Sequence, residues 1–141
     1  MKIGNLMGES TAAGFVDWFD VMSFSWGLTQ ASGRATLQDV HITKSSGRSS
    51  PALMVDADEG ALLPAVQIVF VVNDQTGKPQ TYERISLSDV LITSFSLFCD
   101  GSRPTETLTL SFSKLEFDKF DYRADGGHST EIGVVNVGGT G

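Results

Sequence analysis

The side chains able to do chemistry are few, and their spacing argues against most of it. His41 and His128 stand alone, neither with a partner at metal-ligand spacing, and His41 lies in an alternating run where an outward imidazole needs no special role. Cys99 closes an apolar run, as a core thiol does, and a single cysteine cannot form an internal disulfide. Asp17 and Asp20 are three apart on a segment that reads as a strand, hence on opposite faces, which excludes an acid/base pair. "SSGRSSP" holds the glycine, hydroxyls and cation of a phosphate cradle, but helix capping accounts for them. "DADEG" looks like the start of a calcium loop, yet counting from Asp56 places Ala61 sixth and Gln67 twelfth, where that loop needs Gly and Glu. Without a nucleophile elbow, phosphate loop or zinc signature, the sequence predicts no catalysis and no cofactor.

Two features outlast this search. The tripeptide "SFS" recurs at 23–25, 94–96 and 111–113, each time in an alternating run. Strand side chains alternate between faces, so Phe24, Phe95 and Phe112 can enter a core while the serines face away. An ordinary wet face carries Lys and Glu; small uncharged hydroxyls suit a surface that is hydrated yet unspecific. On the second strand Phe24 and Trp26 share a parity with Val16, Trp18 and Met22, leaving Ser23 and Ser25 on the other side. The second feature is Asp56, Asp58 and Glu59 crowding the C-terminal turn of a helix, where the macrodipole disfavours negative charge. Either this is a solvated acidic end or it meets a basic residue of another subunit.

Composition narrows the partners. The chain has 141 residues, the size of one domain with a core of its own. Ten Lys and Arg against 17 Asp and Glu give a net charge of -7, which disfavours nucleic acid and anionic membrane. The start "MKIGNLMGES" lacks the apolar stretch of a secretory signal, so synthesis and folding are expected in the cytoplasm. Apolar runs such as "AVQIVFVV" are too short to span a membrane.

Turn signals cut the chain into strands with one exception. "KIGNLMGE" and "GFVDWFDVMSFSWG" read as strands, "LTQASG" as a loop, and "RATLQDVHITK" as a strand with a bulge or twist near Asp39, because Leu37 differs in parity from Val40 and Ile42. "SSGRSSPALMVDADEG" is helical, with Ser50 as N-cap, Pro51 opening, Gly60 as stop and a stripe of Leu53, Met54 and Ala57. "LLPAVQIVFVVND" is apolar on both parities, and "NDQTGKP" is a hairpin loop. "TYERISLSDVLITSFSLFCD" is a very long strand with Ile85, Leu87, Leu91, Phe95 and Leu97 inward and Ser86, Ser88, Ser94 and Ser96 opposite. Its partner "TETLTLSFSKLEFDKFDY" switches phase after Phe112 and again before Phe120, which predicts bends where a strand passes between sheets of a closed barrel. The expected fold is mainly β: a small two-sheet β-barrel with one short flanking α-helix over residues 1–123, and a loose Gly-rich tail over 124–141.

In this order, "IGNLMGES", "FDVMSFSWG", "DVHITKSSGRSSPALM", "ISLSDVLITSFS" and "ETLTLSFSKLEF" resemble the haemolysin-coregulated protein (Hcp) family over residues 3 to 122. That resemblance implies the tube protein of a type VI secretion system: hexameric rings stacked inside a contractile sheath, tipped by a spike protein, carrying effector toxins, and secreted without a signal peptide. It implies that Ser23 and Ser25 face the lumen. Two departures concern assembly: "LTQASG" is shorter than the family's extended stacking loop, and the tail lacks the usual charged segment. Alternatives are the tail-tube protein of a phage or related machine and a small-ligand-binding β-barrel, which predicts a monomer. An outer-membrane barrel would need a signal peptide and aromatic girdles.

Overall fold

The computed structural model describes residues 1–4, 6, 8, 10, 16, 18–73, 79–101, 103–122 and 128–136. In chain order these form β1 (Lys2–Ile3), β2 (Val21–Ser25), β3 (Leu28–Ala31), β4 (Arg34–Leu37), β5 (Val40–Ser45), α1 (Ser50–Glu59), β6 (Leu63–Asn73), β7 (Pro79–Phe98), β8 (Thr105–Ser111), β9 (Lys114–Tyr122) and β10 (His128–Asn136).

At 20 residues, β7 is long enough to belong to two sheets. Its first half lies between β6 and β9, and its second half, Leu91 to Phe98, pairs with β8. The larger sheet runs β1-β6-β7-β9-β10 and the smaller β7-β8-β5-β2. The bend between them is at Asp89, a non-glycine residue in the left-handed region at φ 53°. Ser113, in the β8–β9 link, braces it: its amide donates to the Ser88 carbonyl at 2.9 Å and its hydroxyl reaches Asp89 Oδ2 at 2.9 Å. The bend costs β7 one step of phase and a bulge between Ile92 and Ser94 returns it. The buried residues are therefore Ile85 and Leu87, then Val90 and Ile92, with Phe95 packed on the core beyond the bulge. This corrects the single inward parity expected of β7: Leu91 is only half-buried and Leu97 is 61% exposed at the strand's end.

The first phase switch of the partner strand is the crossing it predicts, since β8 pairs with β7 in the smaller sheet and β9 in the larger. The second is not a bend. The ladder between β7 and β9 is regular from Glu83 to Ser88, and Phe120 sits under the Arg84 guanidinium at 5.3 Å, on the face opposite Phe117. That guanidinium also holds the buried Asp118 carboxylate at 2.7 Å.

The helix starts with Ser49 at the cap position, one residue earlier than expected, and Pro51 lies in the first turn. Ser50 is buried, its Oγ accepting from the Gly47 amide at 2.8 Å. Gly60, at φ 63°, ends the helix, its amide and that of Ala61 bonding back to Ala57 and Asp56. Leu53 is fully buried and Ala57 packs on the core, whereas Met54, expected in the same stripe, is 52% exposed one step round the helix.

Four expectations about connections are corrected. "LTQASG" is not a plain loop: β3 and β4 form a separate two-stranded hairpin turning at Ser32 and Gly33, both at positive φ. Where glycine content predicts looseness, β10 pairs along its whole length with β9, from His128↔Tyr122 to Asn136↔Lys114, with Val135 packed on the core and Ile132 and Val134 exposed. Among the described residues the barrel does not close: β1 and β2 end the strand path, joined only where Phe19 and Met1 exchange backbone hydrogen bonds at 2.6 Å. The opening strands are accordingly short, Lys2–Ile3 and Val21–Ser25. The single strand expected over "RATLQDVHITK", with a bulge or twist near Asp39, is instead two strands interrupted at Gln38 and Asp39: β4 pairs with β3, and β5 with β2 and β8.

The two sheets enclose one core. Ile3, Val66, Ile68, Ile85, Leu87 and Leu115 of the larger face Val40, Ile42, Leu108 and Leu110 of the smaller, and Phe24 meets Phe70 edge-on at 5.8 Å across the gap.

Candidate functional site

The outer face of the smaller sheet is where the serines come together. The register aligns Ser25, His41, Thr109 and Ser94 across β2, β5, β8 and β7, and aligns Ser23, Thr43, Thr107 and Ser96 in a second row. All of these side chains are exposed or half-exposed. Between the two rows, on the other side of the sheet, Phe24, Ile42, Leu108 and Phe95 form the matching core row. Alternation thus sorts each strand into apolar-in and hydroxyl-out, and the pairing register turns four separate strands into one surface.

Ser23 and Ser25 are both exposed on it, opposite Thr43 and His41. Met22, expected in the core with Phe24 and Trp26, is instead 61% exposed, because a register shift between Val21 and Ser23 puts Val21 on the core in its place. His41 is exposed, with Nδ1 3.3 Å from Thr109 Oγ1, and Thr93 Oγ1 donates to the Thr109 carbonyl at 3.2 Å.

The charges of this sheet lie beneath the face. Lys44 and Glu106 are fully buried, paired at 3.1 Å, with Lys44 Nζ also donating to the Ser45 carbonyl at 2.7 Å and lying 5.2 Å from the Phe19 ring centre. Glu106 Oε1 has no hydrogen-bond partner. The pair went unread in the sequence, although Lys44 shares its parity with Val40 and Ile42, and Glu106 with Leu108 and Leu110. The threonines and His41 were equally legible in the alternation of "HITK" and "TLTLS".

The acidic helix end is a separate feature. Asp56 is half-buried, Asp58 and Glu59 are exposed, and the last turn carries no basic residue. Among the described residues no ion pair reaches the three. Cys99, expected in the core, is exposed just past the end of β7, whose pairing with β8 stops at Phe98↔Thr105. His128 falls in β10, and Asp17 lies outside the described residues. Among the described residues no group of three His, Cys, Asp or Glu could hold a metal, and no helix is long and apolar enough to cross a membrane.

Comparison with known proteins places this geometry. The family described as type VI secretion system effector, Hcp, matches residues 1–118. The chain is 31% identical to protein hcp1 of Pseudomonas aeruginosa, over 89% of this chain and 85% of that one. It is 26% identical to a type VI secretion system effector of Yersinia pestis of known crystal structure, with a TM-score of 0.80 over 96% of this chain and 97% of the other. Hcp1 from Salmonella typhimurium, at 22% identity and a TM-score of 0.79 over 96% and 90%, shares the fold.

Proposed function

This chain belongs to the Hcp family of the type VI secretion system, and from that premise we propose that it is a ring-forming structural subunit whose hydroxyl face lines a channel. The observation that carries the reading is the face itself, two cross-strand rows of Ser, Thr and His41 over a packed apolar row. A channel wall that passes folded proteins must be wetted without offering fixed charges or apolar patches, and small hydroxyls meet both demands.

Ring closure has support in the same sheet. Among the described residues β2 pairs only with β5, and the stretch of β7 from Leu91 to Phe98 pairs only with β8, so the smaller sheet has two open edges. Edge meeting edge is a heterologous contact, which closes into a ring when the rotation between copies allows. On the resemblance to the family, the ring of this reading has six copies. The β3–β4 hairpin, which pairs with neither sheet, stands where the family's stacking loop is expected, so the short segment serves stacking as a hairpin. Sheath, spike and effector toxins are the remaining partners, and export through the type VI machine follows synthesis in the cytoplasm. In this reading the helix end at Asp56, Asp58 and Glu59, which has no basic residue in its last turn, meets a neighbouring copy.

The protein acts in this reading by shape and not by catalysis. Sedimentation velocity with negative-stain electron microscopy tests it: uniform rings at micromolar protein support the reading, and a monomer under all salt conditions overturns it.

A further inference from the structure

The edges of the two sheets are not alike. In the larger sheet β1 is two residues long and begins with Lys2, and β10 carries His128, Glu131 and Gly133, features that discourage a further strand. The smaller sheet has no such protection: "VMSFS" of β2 and "LITSFSLF" of β7 hold neither a charge nor a proline. Each of these two edges also presents one large apolar side chain on the hydroxyl face. Phe98 shares its parity with Ser94 and Ser96 and is 64% exposed. Met22 is as exposed and reaches the same face, its Sδ 3.8 Å from Ser45 Oγ. Ser45 pairs with Thr105, and Thr105 with Phe98, so Met22, Ser45, Thr105 and Phe98 form a third row beyond the one holding Ser23 and Ser96. That row is hydroxyl in the middle and apolar at each open edge.

Backbone pairing between copies makes two edges meet but leaves open where along the strands they meet. Serines and threonines on an edge specify register weakly. A slip of two residues keeps every side chain on its own face and moves one copy along the strand by about 7 Å. Head-to-tail contacts that carry such a rise climb into an open helix instead of closing. The closing register needs a feature on both edges that marks it, and the third row supplies one on each.

We propose that Phe98 of one copy packs against Met22 of the next, and that this sulfur–aromatic contact sets the register in which the ring closes. The proposal rests on the reading of the smaller sheet as the ring wall and names the residues that fix its joint. Within one copy the two side chains stand at opposite ends of the row, three strand spacings of about 4.8 Å apart, so only a second copy brings them together. Met22 and Phe98 are the exposed large apolar side chains of the three rows, and pairing them leaves the wall to the hydroxyls and His41.

The test uses the full chain with Cys99→Ser, so that introduced thiols are the only ones present. Met22→Cys/Phe98→Cys is oxidised mildly and run on a non-reducing gel. Facing residues of adjacent strands are within disulfide reach, and a residue two steps along the strand is not. A ladder of linked copies is therefore expected from this pair, and little linkage from Met22→Cys/Ser96→Cys. In a second measurement Met22→Ser/Phe98→Ser, altered at two exposed sites, should keep the parent's fold by circular dichroism and weaken assembly about ten-fold per contact in sedimentation. A ladder from the Ser96 pair as strong as that from the Phe98 pair, or a serine variant that assembles like the parent, overturns the proposal. Negative-stain images of the same samples separate the two readings. Rings in which the Phe98 pair stays unlinked sink this register and leave the channel standing, whereas a parent protein that forms no rings sinks the channel reading and the register with it.

Discussion

Replacing Lys44 by Met is expected to be strongly destabilising while leaving the hydroxyl face untouched. Lys44 and Glu106 are both fully buried, and their charged atoms are 3.1 Å apart. At an effective dielectric constant near 20 the attraction at that distance is about 5 kcal/mol, most of which offsets the desolvation of two ions. Lys44→Met removes the attraction but not the cost of burying Glu106. That carboxylate already has Oε1 without a partner and would lose the partner of Oε2 as well. The loss should be about 3–5 kcal/mol, or about 9–15 °C in Tm at about 3 °C per kcal/mol for a chain of this size. Glu106→Leu should cost less, because Lys44 keeps its hydrogen bond to the Ser45 carbonyl and its place by the Phe19 ring. The double variant Lys44→Met/Glu106→Leu should return to within about 1 kcal/mol of the parent, since two apolar groups replace two ions in a closed site. Urea unfolding at one fixed protein concentration measures all four proteins, so that assembly contributes equally. A Lys44→Met loss below about 1 kcal/mol, or a double variant worse than both single ones, would refute the reasoning.

Leu53→Ala should cost about 3–5 kcal/mol in the same unfolding assay, because Leu53 is fully buried where α1 meets the core. Ser25→Gln should change stability by no more than about 0.5 kcal/mol, since Ser25 is exposed, while lowering co-purification of an effector with intact rings on size-exclusion chromatography. A large drop in Tm would show Ser25 to be packed. Converting Asp56 and Asp58 to Asn and Glu59 to Gln should shift the salt dependence of ring dissociation; an unchanged dissociation curve with the fold intact would make the acidic end a solvated one.

What the sequence made legible was whatever alternation controls. The length of β7, the crossing between β8 and β9, the helix ended by Gly60 and the exposed serines all follow from parity and turn residues read along one strand. What it hid depends on partners across strands. The left-handed Asp89 and its brace at Ser113 shift the phase of β7 through hydrogen bonds from the β8–β9 link, so Val90 and Ile92 could not be separated from Leu91. The bulge at Met22 turned a core residue outward in the same way. β10 needed the free edge of β9 to outweigh its glycines. Lys44 and Glu106 are tolerable in a core only because the register sets them face to face, and that register is not written in either strand alone. The same holds for the hydroxyl face, which reads as isolated serines until four strands are aligned.

A three-dimensional reconstruction of the assembled protein by electron microscopy tests the central claim most directly, because it shows which surface faces the channel. The account predicts a closed ring whose inner wall is built from β2, β5, β8 and the second half of β7, with Ser23, Ser25, His41, Thr107, Thr109 and Ser94 facing the lumen. A ring that turns α1 or the outer face of the larger sheet inward would contradict it, as would particles that never close.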